Sequence, residues 1–123
     1  MKRIGIIGAG PAGLMAAICA KNKNNHVTIF EANDKVGKKL LMTGGGRCNL
    51  TNSAYFDDFL ENVVTNKKFI YSAFTNFDNY ALIDFLNKNG LETIIEEDCR
   101  VFPKSEKAST VVSFFENKIK EKS

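Results

Sequence analysis

Residues 3–31 read RIGIIGAGPAGLMAAICAKNKNNHVTIFE, and the order of residue types in this stretch sets the architecture of the chain. Arg3–Ile7 is a short, mostly apolar and β-branched run, the pattern of a strand buried on both faces. Gly8-Ala9-Gly10-Pro11-Ala12-Gly13 follows, and Leu14 through about Lys21 reads as a helix. Asn22–Asn25 is a polar connection, and His26–Phe30 is a second apolar strand that ends in Glu31. Gly8 makes the tight turn out of the first strand, Gly10 allows a phosphate to approach the backbone, and Gly13 lets the helix pack close to the sheet. The helix then presents its free N–H groups and positive dipole end to that phosphate.

With seventeen residues between Gly13 and Glu31, the acid falls at the tip of the second strand. There a carboxylate can accept hydrogen bonds from both hydroxyls of a ribose, and it disfavours a 2′-phosphate, which argues against NADP. A glycine-rich hexapeptide is weak evidence by itself. Here the strand before it, the helix after it and the acid supply the context that a dinucleotide-binding βαβ unit requires. The spacing leaves both NAD and FAD open.

Beyond Glu31 the run EANDKVGKK, residues 31–39, resembles the extended fingerprint of glutathione-reductase-like flavoproteins, in which the acid precedes a glycine-containing turn and a cation. Where that pattern has a second Gly and then Arg, this chain has Lys38 and Lys39, keeping the charge without the bidentate fork. Lys39 is the candidate for the cofactor phosphate or adenosine side. Next comes GKKLLMTGGGRCNLTN, residues 37–52. Three consecutive glycines are costly to order, and such a loop allows the backbone to lie against a flat ligand while its N–H groups, Arg47 and Asn49 donate. No Gly-Lys-Ser/Thr closes it, so it is not a Walker loop.

Together with RVFPKSEKAS at residues 100–109, this segment closely resembles the YhiN/BaiN-type family of NAD(P)/FAD-dependent oxidoreductases, also called aminoacetone oxidase family FAD-binding enzymes. The resemblance covers essentially the whole chain. It implies an α/β, Rossmann-like FAD-binding domain of the glutathione-reductase type, incomplete here, with FAD held non-covalently. The implied cofactor-binding residues are Gly8, Gly10, Pro11, Ala12, Gly13, Glu31, Ala32, Lys39, Gly44, Gly45, Gly46, Arg47, Cys48 and Asn49. FAD would be the cofactor, NAD(P)H a candidate reductant, and the substrate and catalytic groups unassigned.

The rest of the chain reads as helices over residues 57–64 and 68–74, and a helix over Tyr80–Lys88 capped by Asn76 or Asp78 and stopped at Asn89-Gly90. A hairpin follows around Glu97-Asp98, with Cys99 where relatives commonly carry Gly. A last helix runs to about Lys120, capped by Ser105 or Ser109. Tyr71, Phe74, Phe77, Tyr80 and Phe85 read as core. The expected division is residues 1–53 as the βαβ unit with its glycine-rich loop, and 54–123 as helices, hairpin and crossover helix.

Net charge +3 over 123 residues, with no basic stripe interleaved with aromatics, gives no support for nucleic acid. The glycines and Pro11 break the apolar N-terminal stretch, which excludes a membrane span. Cys19, Cys48 and Cys99 lie far apart with no CxxC, so no local metal site is expected, and reduced thiols point to the cytoplasm. Cys48 reads as a small packing residue and His26 as a solvated strand end. The function expected is that of the FAD-binding portion of a flavin-dependent oxidoreductase, inactive by itself. A third parallel strand and a substrate-side domain are missing, and a further segment or chain would complete it. The alternative is a non-catalytic nucleotide-binding module completed by a partner chain.

Overall fold

The computed structural model describes residues 1–121, so the Lys122-Ser123 end of the expected crossover lies outside the described residues. The chain divides into two compact units: one comprises Met1–Cys48 and resumes at Glu106, and the other is Asn49–Ser105.

In the first unit, β1 (Lys2–Ile7) and β2 (Asn25–Phe30) pair in parallel from Lys2↔Asn25 to Ile7↔Phe30, joined by α1 (Pro11–Ala20). Helix α1 lies against both strands. It buries Leu14, Ala17 and Ile18, which recur at the three- and four-residue spacing of one helix face. After α2 (Lys38–Met42) and a 3₁₀ turn at Thr43–Gly46, this unit resumes with a long final helix, Ala108–Glu121. That helix buries Ala108, Val111, Val112, Phe114 and Phe115 and packs on α1 and α2. Lys21 donates from the end of α1 to the Ile119 carbonyl.

Among the described residues the strands are covered on one face, not on both as their apolar pattern predicts. Ile4, Ile6, Val27 and Ile29 share the half-buried face, while Arg3, Ile7, His26 and Phe30 lie on the other, with Ile7 84% exposed. Alternation puts successive side chains on opposite faces, and among the described residues no element covers the second one. The final helix begins at Ala108, which places Ser109 inside its first turn rather than at the cap.

The second unit is built on a three-stranded antiparallel sheet. Its strands are β3 (Thr51–Asn52), β4 (Thr93–Ile95) and β5 (Arg100–Pro103), with β5 central. The β4–β5 hairpin closes through Cys99, whose φ of 65° is left-handed, a conformation costing a non-glycine residue about 1–2 kcal/mol. Asp98 and Glu96 both pair with Arg100, so the acidic turn is a solvated ion-pair cluster. The helices are α3 (Phe56–Glu61), α4 (Lys67–Asn76) and α5 (Asn79–Lys88), which makes the long final helix α6. Asn79 at the start of α5 is buried, and its carboxamide donates to the carbonyls of Asn52 and Ala54 at 2.7 and 2.8 Å, pinning the chain after β3.

Helix α5 ends in a Schellman motif: Leu91 N–H reaches the Leu86 carbonyl at 2.9 Å and Gly90 N–H the Asn87 carbonyl at 3.2 Å, with both leucines buried. Phe59 stacks on Phe74 at 4.5 Å between centroids, and Phe56 meets Tyr71 edge-on at 5.8 Å. Tyr71, Phe77 and Tyr80 are 53%, 44% and 44% exposed, so three of the aromatics expected in the core join helices at the surface instead.

Asp78, at the N-cap of α5, accepts from Ala81 N–H at 2.8 Å. Asp78→Ala is expected to lower the unfolding free energy by about 1 kcal/mol, measured as an earlier urea midpoint with an unchanged slope.

Candidate functional site

The glycine loop leaves β1 at Gly8, whose φ of +91° is open only to glycine and whose N–H donates to the Phe30 carbonyl at 2.7 Å. Pro11 opens α1 and Gly10 is its cap without a side-chain hydrogen bond, so the first turn carries its positive end uncapped. A Cβ placed on Gly10 would meet nothing within 4 Å. On Gly13 it would stand 2.0 Å from the Gly8 carbonyl oxygen, so α1 sits directly over the turn that precedes it.

Glu31, at the tip of β2, reaches across to this loop. Its Oε2 accepts from Ala9 N–H at 2.6 Å, and its Oε1 accepts from the backbone N–H and Nδ2 of Asn33 at 2.9 and 3.0 Å. Donation from the Asn33 N–H, and then from the Ala9 N–H, holds the carboxyl below its ordinary value, so it is ionised at neutral pH. Gly37 N–H donates to the Ala9 carbonyl at 2.9 Å, so Ala9 is held through both of its backbone groups. The sequence-predicted Gly8, Gly10, Pro11, Ala12, Gly13 and Glu31 therefore come together at one end of the parallel pair. Ala32 follows on the exposed surface.

Lys39 is exposed on the last turn of α2, which packs against the 3₁₀ turn and α6. Gly44, Gly45 and Gly46 have φ of 58°, 64° and 88°, so all three are left-handed. A Cβ on Gly45 or Gly46 would meet nothing within 4 Å, so backbone conformation rather than crowding demands glycine there. Arg47 pairs with Glu106 at 3.1 Å. Cys48 is fully buried, and burial pushes its thiol up, the opposite of what a reactive cysteine needs. Asn49 belongs to the second unit; with its carboxamide turned so that the nitrogen takes the place of the oxygen, it donates to the carbonyls of Thr51 and Val101 at 2.9 and 3.2 Å.

Residue type alone does not mark Asn33 or Glu106 as site residues. An Asn two residues after a strand-end acid is a local signal, since such side chains bond to nearby groups in turns. The partner of Arg47 is 59 residues away and leaves no local trace. His26 is exposed, and no group of metal-ligating side chains occurs among the described residues. Within the same residues, no helix is long and apolar enough to cross a membrane.

Residues 2–123 match the sequence profile described as "HI0933-like protein Rossmann domain". The chain is 33% identical over 122 residues to the 3-dehydro-bile acid delta(4,6)-reductase of Clostridium scindens, covering 98% of this chain and 29% of that protein. It is 37% identical over 91 residues to the ribosomal RNA dihydrouridine synthase of Escherichia coli, covering 70% of this chain and 21% of that protein. The protein of the same name from Haemophilus influenzae is 36% identical over 86 residues, with the same coverage of 70% and 21%. The chain thus spans less than a third of the length of these relatives.

The two classes of glycine should separate in stability measurements. Gly13→Ala drives a Cβ into backbone and is expected to cost about 3 kcal/mol, because neither the helix nor the turn can yield cheaply. Gly45→Ala meets open space and is expected to cost about 1 kcal/mol from its left-handed φ alone. Urea unfolding of both variants checks the difference.

Proposed function

The chain belongs to the HI0933-like Rossmann-domain family, and from that premise we propose that it is the FAD-binding portion of a flavin-dependent oxidoreductase. The observation that carries the proposal is the ionised Glu31 carboxylate bonded to the Ala9 N–H, beside the uncapped start of α1. One element offers a positive end and open backbone to a pyrophosphate, and the other offers an acceptor to the ribose joined to it. The residues present fit such a group. Gly10 has open space where a side chain would stand, and Glu31 uses three of the roughly four acceptor positions of a carboxylate. Capture of both ribose hydroxyls requires the Asn33 carboxamide to yield its place on Oε1.

FAD is favoured over NAD because the left-handed Gly44–Gly46 turn, with Arg47 beside it, belongs to the same unit as the glycine loop. An NAD site has no need for such a second loop. In this reading the loop amides face the flavin end, Arg47 exchanges Glu106 for negative charge, and Lys39 balances the phosphates. The buried Cys48 fills space behind the loop. When bound, the flavin supplies the hydride transfer; the protein binds and orients it. The free cysteines fit a reducing cytoplasm.

By their names, the relatives act on a bile acid and on ribosomal RNA. This chain covers at most 29% of either kind, so the proposal stops at cofactor binding and names no substrate. We further propose that these residues bind without turning over, because the parallel sheet leaves one face uncovered among the described residues.

Titrating the chain with FAD and with NAD should give the tighter dissociation constant for FAD; tighter binding of NAD would overturn the reading. Glu31→Ala should weaken FAD binding roughly tenfold or more, as expected for lost charge-assisted bonds to hydroxyls. NADH and NADPH oxidation by the FAD-loaded chain should stay at the rate of free flavin.

A further inference from the structure

Two donors of Asn33 converge on one oxygen of Glu31. Its backbone N–H and its Nδ2 stand 2.9 and 3.0 Å from Oε1, while Oε2 faces the Ala9 N–H at 2.6 Å. A glutamate side chain turns about three bonds, and one reaching from a strand tip samples many rotamers unless something selects one. Anchoring one carboxylate oxygen at two donors fixes the direction of the other.

We propose that Asn33 is the positioning residue of this site: by holding Oε1 it keeps Oε2 on the Ala9 amide, so the glycine loop has its binding shape before a ligand arrives. For its purpose the inference rests on the cofactor role proposed for Glu31; the chain of bonds itself is a property of the free protein. That chain continues through Ala9, because Gly37 N–H donates to the Ala9 carbonyl at 2.9 Å. A Cβ on Gly37 would lie 2.9 Å from Val112 Cγ2, so the turn from Asn33 to Gly37 is seated against α6. Asn33 thus ties the acid to a loop whose other support is a packed helix. The backbone N–H of Asn33 stays whatever the side chain, and the carboxamide adds the second donor that selects the rotamer.

Amide hydrogen exchange, followed by NMR on the full 123-residue chain, tests this directly. Gly8 is the internal reference, since its N–H is in the same loop but bonds to the Phe30 carbonyl at 2.7 Å. In Asn33→Ala, the Ala9 amide is expected to exchange about three- to tenfold faster, the range of one lost hydrogen bond, while Gly8 is unchanged. Asn33→Ser, whose hydroxyl can donate to the same oxygen, should restore most of the protection. Glu31→Gln keeps the length but replaces one of the two acceptor oxygens with an NH2 donor, and should also quicken exchange at Ala9. If Ala9 is unaffected in Asn33→Ala, if Ala9 and Gly8 quicken together, or if Ser fails to restore, the inference is overturned. The FAD titration of the unaltered chain is independent of this result, so its failure would remove the cofactor reading and leave the exchange result standing.

Discussion

The first unit depends on how close α1 comes to the turn beneath it. Only a residue without a Cβ fits at position 13, where a side-chain carbon would lie 2.0 Å from the Gly8 carbonyl oxygen. That contact fixes the angle at which α1 leaves β1, and through Leu14, Ala17 and Ile18 it fixes where α1 lies on the sheet. Helix α1 then returns the chain so that β2 pairs in parallel with β1 in a single register. That register puts Phe30 beside Ile7 and brings Gly8 N–H to the Phe30 carbonyl, so Glu31 emerges level with the glycine loop. A one-residue slip would move Glu31 away from Ala9 and turn its side chain to the opposite face. The acid is therefore placed by helix packing, and its own chemistry enters only afterwards.

The βαβ unit was legible because every signal for it is local: apolar runs of strand length, a glycine hexapeptide and an acid at the strand end. The Asp78 cap and the Asn89-Gly90 stop of α5 were legible for the same reason, and the structure has both. What failed to show was whatever depends on distant chain. An apolar β-branched strand says that its faces suit burial; it does not say what buries them, and the face bearing Ile7 and Phe30 is open among the described residues. Strand β3 has only two residues and exists because β5 accepts it, far along the chain. Tyr71, Phe77 and Tyr80 looked like core because aromatics usually are, yet short helices leave them at the surface.

Left-handed residues show the same divide within the candidate site. Gly44–Gly46 announces itself, since glycine is the residue that enters this conformation without cost. Cys48 and Glu106 adopt it too, with φ of 62° and 56°, and no residue-level rule points to them. Each must be held by its surroundings against a cost of about 1–2 kcal/mol. Around Cys48 the means are visible: the side chain is fully buried and its N–H donates to the Thr43 carbonyl at 3.0 Å. Glu106 is paired with Arg47, so the loop that presents this cation also depends on a strained residue that no local signal marks.

In Glu31 one carboxylate both secures the loop and carries the acceptor proposed for the cofactor. Its acidity is strengthened in the folded chain by the Asn33 and Ala9 N–H groups. A carboxyl whose folded value lies below its unfolded one contributes stability that is fully present above the unfolded value and lost as pH falls through the folded value. Protonation would weaken the bond to Ala9 and, in the same step, the acceptor proposed for ribose. Loop order and ligand affinity should therefore decline over the same acidic interval, below the ordinary carboxylate range, and be flat at neutral pH. A neutral Gln that accepted from Ala9 would turn its NH2 donor onto the two Asn33 donors and would accept more weakly. The acid is suited to this place because the donors that hold it also keep it charged for the role proposed for it.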